Sequence, residues 1–170
     1  MISKKMEEAL NSQLNKELFS SYLYLSMATY LETNNYVGMA QWMRLQAEEE
    51  HEHSMKFFTF IQKIGGRVIL EQIDKPQSDW DSAQKAFEDA LAHEEFITKH
   101  INELTDLAIS ERDHSTKTFL QWYVDEQVEE EAAANEIVQK FNLIGESKSG
   151  LYMLDTELGT RTSTPDPTAE

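Results

Sequence analysis

Residues 1–37, 39–64 and 77–144 contain neither glycine nor proline, and a chain so rarely interrupted has few options other than long helices. Glycine breaks regular structure through its backbone freedom and proline through its missing N–H. Here they fall only at Gly38, Gly65-Gly66, Pro76, Gly145, Gly150, Gly159, Pro165 and Pro167. Ser3, with Glu7 and Glu8 behind it, suits the N-cap of a first helix running to Glu32. Asn34-Asn35 makes a turn, and a second helix is expected to run to Ile64, where Gly65-Gly66 stops it. A third is expected from Asp81 or Ser82 to about Ser110, and a fourth from a cap at Asp113 to about Leu143. Ser149 to Leu158 reads as a short fifth helix. No alternating strand pattern is present. The polar residues 161–170, with two prolines, read as a disordered tail behind a domain spanning 1–160.

One connection carries topological information. Antiparallel neighbours need only a few linking residues, whereas Gly65 to Trp80 provides sixteen. The second helix should be roughly 42 Å long at about 1.5 Å per residue, and sixteen extended residues reach about 53 Å. The loop can therefore travel the whole bundle and start the third helix parallel to the second. That is a four-helix bundle with one long crossover. Val68-Ile69-Leu70 is apolar for a surface loop, which fits cover by another subunit.

The strongest chemical signal lies in the apolar stripe of each helix. On the first it reads Leu10, Leu14, Glu17, Ser21, Tyr24, Ala28, and on the second Met39, Met43, Gln46, Glu50, His53, Phe57, Ile61, Ile64. The third gives Phe87, Leu91, Glu94, Ile97, Ile101, Leu104, and the fourth Phe119, Tyr123, Gln127, Glu130, Ala134, Ile137, Phe141. Each stripe has a glutamate near its middle, and the second adds a histidine one turn on. Four buried anions cost several kcal/mol each (order of magnitude) unless compensated, and no lysine or arginine lies on these stripes. The remedies are protonation or a multivalent cation. Carboxylates with one imidazole suit Fe(II) or Mn(II) and, less selectively, Zn(II).

Overall charge agrees. Fifteen Lys plus Arg against 31 Asp plus Glu leave a net charge of −16, a field that attracts cations and repels phosphate backbones. Nucleic acid is therefore not an expected partner. There is no cysteine, so disulfides and thiolate chemistry are excluded. The first residues turn acidic where a signal peptide would become apolar, and no apolar run has the length of a membrane span. A cytoplasmic protein without a membrane partner is expected.

Four segments carry a family resemblance: Asn15-Lys16-Glu17-Leu18 with Tyr24, Gln46-Ala47-Glu48-Glu49-Glu50 with His53, His93-Glu94, and Gln121 through Glu130. Through Leu158 the chain resembles the prokaryotic non-haem ferritins. The resemblance implies an all-α, ferritin-like four-helix bundle with a short fifth helix, assembled as a homo-oligomeric cage of twenty-four subunits. It implies that Glu17, Glu50 and His53 hold one iron, with Glu50 bridging to a second completed by Glu94 and Glu130. Glu49, Glu126, Glu129 and Glu130 match a third iron site, and Tyr24 and Gln127 line the oxidation centre. The implied activity is ferroxidase: Fe(II) is oxidised by dioxygen or peroxide and stored as Fe(III) oxyhydroxide. Leu151, Leu154 and Leu158 would pack around fourfold axes.

Departures from related families matter as well. Bacterioferritins have a histidine where this chain has Ala133 and a haem-ligating methionine where it has His51, so haem is not expected. Lys117 and Leu120 align with acidic channel positions of animal ferritins, which argues against the usual threefold entry. Two alternative functions remain: a DNA-protecting mini-ferritin, against which the fifth helix and acidic charge count, and a catalytically inactive structural subunit, against which the full ligand set counts. A rubrerythrin-like peroxidase would need the absent cysteines. Plainer readings stand beside the sharper ones. Glu49, Glu126 and Glu129 suit a solvated face, Tyr24 suits a hydrogen-bonded core tyrosine, and Met39, Met43, Met55 and Met153 suit packing. His51, His93, His100 and His114 show no ligand pattern.

Overall fold

The computed structural model describes residues 2–163. Among them are five helices: α1 (Lys4–Thr33), α2 (Val37–Lys63), α3 (Ala83–Ser110), α4 (His114–Ile144) and α5 (Lys148–Leu158). The expected caps form. Ser3 accepts from Met6 N, Ser82 from Lys85 N and Asp113 from Thr116 N, each taking up an amide that the first turn leaves unpaired. Asn35 takes the α1–α2 turn at φ 64°, and Gly65 leaves α2 at φ 79°. The all-α architecture expected from the breakers is the one observed.

Hydrogen bonds trace the crossover along α1. Asn11 Nδ2 donates to Arg67 O at 3.0 Å, Asn11 Oδ1 accepts from Ile69 N at 2.7 Å, and Ser26 Oγ donates to Gln77 O at 2.6 Å. Loop residues 67–77 thus follow α1 from its first third towards its C-terminal end. There Trp80 packs on Tyr30 with ring centroids 5.3 Å apart. The loop therefore returns the chain to the end of the bundle where α2 began, and α3 runs parallel to α2. Helix α4 is antiparallel to α2, with Tyr123 OH bonded to His53 O and Gln46 to Glu130. Ile69 and Leu70 remain exposed on this loop.

The apolar core has two parts. One gathers Met27, Leu31, Met39, Met43, Phe87, Phe141 and Leu154; the other gathers Met6, Leu10, Phe57, Ile61, Ile101 and Tyr123. On each long helix the central glutamate lies between the stretches that feed these two parts. The apolar ends hold the helices while a polar belt crosses the middle.

Several packing expectations change. Met39 and Met43 are fully buried, but Met55 and Met153 are exposed. Leu91, Phe119 and Ile64 pack only at the core margin. Leu154 and Leu158, expected at a fourfold axis, instead turn onto the chain's own core, and α5 leaves Tyr152 and Met153 outside. The expected disordered tail lies, from residue 164 on, outside the described residues.

Candidate metal centre

The polar belt is buried. Glu17, Glu50, Glu94, Glu130, His53 and Gln127 are each at most 7% exposed. Each occupies its position because its helix turns it inward with the apolar stripe, and the two cores fix those faces. Two groups are compact enough for one cation each: Glu17, Glu50 and His53, and His53, Glu126 and Glu130. His53 stands between them, with Nδ1 3.6 Å from Glu50 Oε2 and Nε2 4.0 Å from Glu126 Oε1. Its ring meets Trp122 edge to face at 5.2 Å, and Tyr123 OH holds its backbone carbonyl at 2.7 Å.

Three of the four buried glutamates, Glu17, Glu130 and Glu94, are held by neutral donors. Gln13 Nε2 donates to Glu17 Oε1 at 2.7 Å and Gln46 Nε2 to Glu130 Oε2 at 2.6 Å. Glu94 takes the Tyr24 hydroxyl on one oxygen and Gln127 Nε2 on the other, the latter at 3.2 Å. Neutral donors orient a carboxylate without cancelling its charge, which leaves it able to neutralise a cation.

Among the described residues no lysine or arginine pairs with Glu17, Glu50, Glu94 or Glu130. Their acidities reflect it. Burial, then the neighbouring Glu50, pushes Glu17 up to about 8. Burial and Glu94 raise Glu130 to about 8, and burial raises Glu94 itself to about 7. Burial and the charges of Glu94 and Glu130 hold Glu50 well above the ordinary carboxylate range. Burial likewise raises Tyr24, with the adjacent Glu94 next in effect. Without a cation the belt keeps protons that exposed carboxylates would have lost.

The third group from the sequence is only partly gathered. Glu126 joins His53 and Glu130, but Glu49 and Glu129 are in neither compact group. Glu129 is exposed. Glu49 is bound by Arg161, whose Nη2 lies 2.5 Å from Glu49 Oε2. Sequence reasoning did not find Arg161, nor the role of Gln13. The Gln13–Glu17 spacing of four was visible, whereas a residue beyond the last helix carries no periodic signal. Of the other histidines, His93 bonds Ser20 Oγ at 2.7 Å, and burial lowers it to about 4. His51 and His114 are exposed.

Residues 7–144 match the family model described as Ferritin, a ferritin-like domain. The chain belongs to the ferritin family. Among curated relatives, it is 41% identical to the bacterial non-heme ferritin of Campylobacter jejuni, over 91% of this chain and 93% of that protein. It is 36% identical to that of Staphylococcus aureus, over 95% of this chain and 98% of the relative. Among solved structures it is similar to the open pore ferritin of the hyperthermophilic archaeon Archaeoglobus fulgidus. The identity is 52% and the TM-score 0.94, over 95% of this chain and 98% of that one. The ferritin fold thus extends over essentially all the described residues, α5 included. None of its described helices is long and apolar enough to cross a membrane.

Proposed function

We propose that this ferritin oxidises Fe(II) at paired positions inside each subunit and stores the product as Fe(III) oxyhydroxide. One observation supports the reading above others: Glu17 and Glu50 on one side and Glu130 on the other gather at His53, the buried Glu94 lies outside both compact groups but close enough to act on Glu50, and among the described residues no lysine or arginine pairs with these four glutamates. Such a belt is balanced either by the protons that burial keeps on it or by multivalent cations that replace them, and its carboxylate-imidazole donor set suits the second. The names of the relatives, non-heme ferritins, point to iron as the cation.

In this reading Glu17, Glu50 and His53 receive one Fe(II), and Glu94 and Glu130 complete a second shell across the bridging Glu50. Binding displaces the protons that burial keeps on these carboxylates. Each iron then gives up one electron. The pair supplies the two that reduce dioxygen to peroxide, or peroxide to water. Tyr24 and Gln127 orient Glu94 during this step. Fe(III) then hydrolyses, releasing protons, and leaves for mineral inside a cage of twenty-four subunits in the cytoplasm. Glu49, Glu126, Glu129 and Glu130 serve a third, weaker position.

Aerobic Fe(II) addition tests the reading. Absorbance should show oxidation faster than in buffer, with an early phase of about two irons per subunit. Glu50→Ala, which removes the shared carboxylate, should abolish that phase. Equal rates with and without protein would overturn the assignment. Solution mass tests the assembly, with about 470 kDa expected for twenty-four copies of a 19.7 kDa chain. Half that mass would favour the twelve-subunit mini-ferritins.

A further inference from the structure

Arg161 lies beyond α5, yet its side chain reaches α2 beside the metal belt. Nη1 donates to Gln46 Oε1 at 2.8 Å and Nη2 to Glu49 Oε2 at 2.5 Å. The guanidinium also lies 4.6 Å from the centre of the Trp42 ring. Trp42, Gln46 and Glu49 are spaced by four and three residues, so they form one stripe along α2. A planar cation laid along that stripe meets an aromatic face, an amide oxygen and a carboxylate together. The backbone sets this reach. Arg161 N donates to Leu158 O at 3.3 Å, and α5 is tied to α2 where Met39 N donates to Asp155 Oδ1 at 2.9 Å.

The contact bears directly on the belt. Gln46, which gives its carbonyl oxygen to Arg161, gives its amide to Glu130. Glu49 is a carboxylate of the proposed third position, and it stands apart from the gathered Glu126 and Glu130. Arginine cannot discharge by losing a proton, so a metal cation arriving at Glu49 meets a fixed positive charge already bonded to its ligand. The two cations repel across the shared carboxylate, so each weakens the other's hold on it.

We propose that Arg161 is the resident counter-cation of Glu49, displaced when iron takes that carboxylate, and that it thereby weakens the third metal position. This rests on the three-position reading of the belt. The guanidinium stabilises the carboxylate while the position is empty and drives iron out once it is filled. Arg161 is a positioning residue, since it acts through Glu49 and Gln46.

Anaerobic calorimetric titration of the assembled protein with Fe(II) alone tests this. In Arg161→Ala the weakest position should tighten about tenfold, the scale of a lost charge-assisted hydrogen bond. In Glu49→Gln the same Arg161→Ala change should have no effect, because the competing pair is already gone. Far-UV circular dichroism and solution mass establish that each variant is folded and assembled. A weakest position unmoved by Arg161→Ala, or moved equally with Glu49→Gln present, overturns the counter-cation role. A wild-type protein binding no Fe(II) at the paired positions overturns the parent reading instead, and the two failures are distinguishable in one titration series.

Discussion

The Tyr24 hydroxyl and Gln127 Nε2 each donate to the Glu94 carboxylate, from α1 and α4 respectively. Both donors lower its proton affinity against the opposing effect of burial. Tyr24→Phe removes one of them without changing the ring that fills the space. Iron should still bind, but about fivefold more weakly at pH 6.5, the effect of one net hydrogen bond. The deficit should shrink towards pH 8, above the value of about 7 to which Glu94 is raised, because less of the carboxylate then holds a proton in either protein. Anaerobic titration at the two pH values measures it. Equal weakening at both would assign Tyr24 to packing alone.

The raised carboxylates make the metal-free protein sensitive to alkali. Glu17 and Glu130 lie near 8 and Glu94 near 7, against an ordinary 4.5. A group whose folded-state value is raised contributes stability below its unfolded value and loses it as pH rises through the folded one. Stability of the metal-free protein should therefore fall between about pH 4.5 and pH 8, by at most about 1.4 kcal/mol per pH unit for each such group. Glu17→Gln should flatten the slope. Denaturant unfolding across that range measures it, and a slope of opposite sign would contradict the raised acidities. By the same linkage, metal binding at pH 7 should release protons into a weakly buffered solution.

Gly38 is where α2 and α5 meet backbone to backbone. A Cβ there would lie 1.7 Å from Asp155 O and 2.9 Å from Gly159 N, closer than any side-chain adjustment can relieve. Gly38→Ala must push α5 outward and strain the Met39–Asp155 hydrogen bond. The expected loss is about 1–3 kcal/mol, read as a fall in thermal midpoint of about 2–4 °C per kcal/mol. An unchanged midpoint would mean that α5 docks without this contact.

Most of this architecture was legible in sequence because helices are local. Ser3, Ser82 and Asp113 cap where capping chemistry places them, and the rarity of breakers defines everything between. The inward direction of Glu17, Glu50, Glu94 and Glu130 followed from helical period alone, since a spacing of three or four assigns a face. Contacts between distant parts of the chain were less legible. Leu154 and Leu158 show the same apolar spacing whether they meet another subunit or their own core. Met55 and Met153 are apolar but not inward, because hydrophobicity does not fix a face. Arg161 follows the last helix, so no periodicity gives its direction; only the docking of α5 brings it to Glu49.

Glu129 separates the paired positions from the third. It stands one turn on from Glu126, at a spacing of three, and precedes Glu130, which is one turn on from Glu126 at a spacing of four. Glu130 is buried against Gln46, however, while Glu129 is exposed and stands outside both compact groups. Glu129→Ala therefore removes a carboxylate near the belt without cutting a hydrogen bond or leaving a cavity, and its effect on folding should stay within about 0.5 kcal/mol. The variant should bind about two irons per subunit and oxidise them at the wild-type early rate, because the ligands proposed for the pair are intact. Its later behaviour should differ. An all-oxygen position holds iron weakly through the sum of its carboxylates, so losing one should empty it first and alter the iron-to-oxygen ratio or the rate of repeated turnover. Oxygen-electrode measurements over successive iron additions make the comparison. Identical ratios and turnover, with only two metals per subunit in iron-soaked crystals of the wild type, would reduce Glu129 to a solvated surface acid.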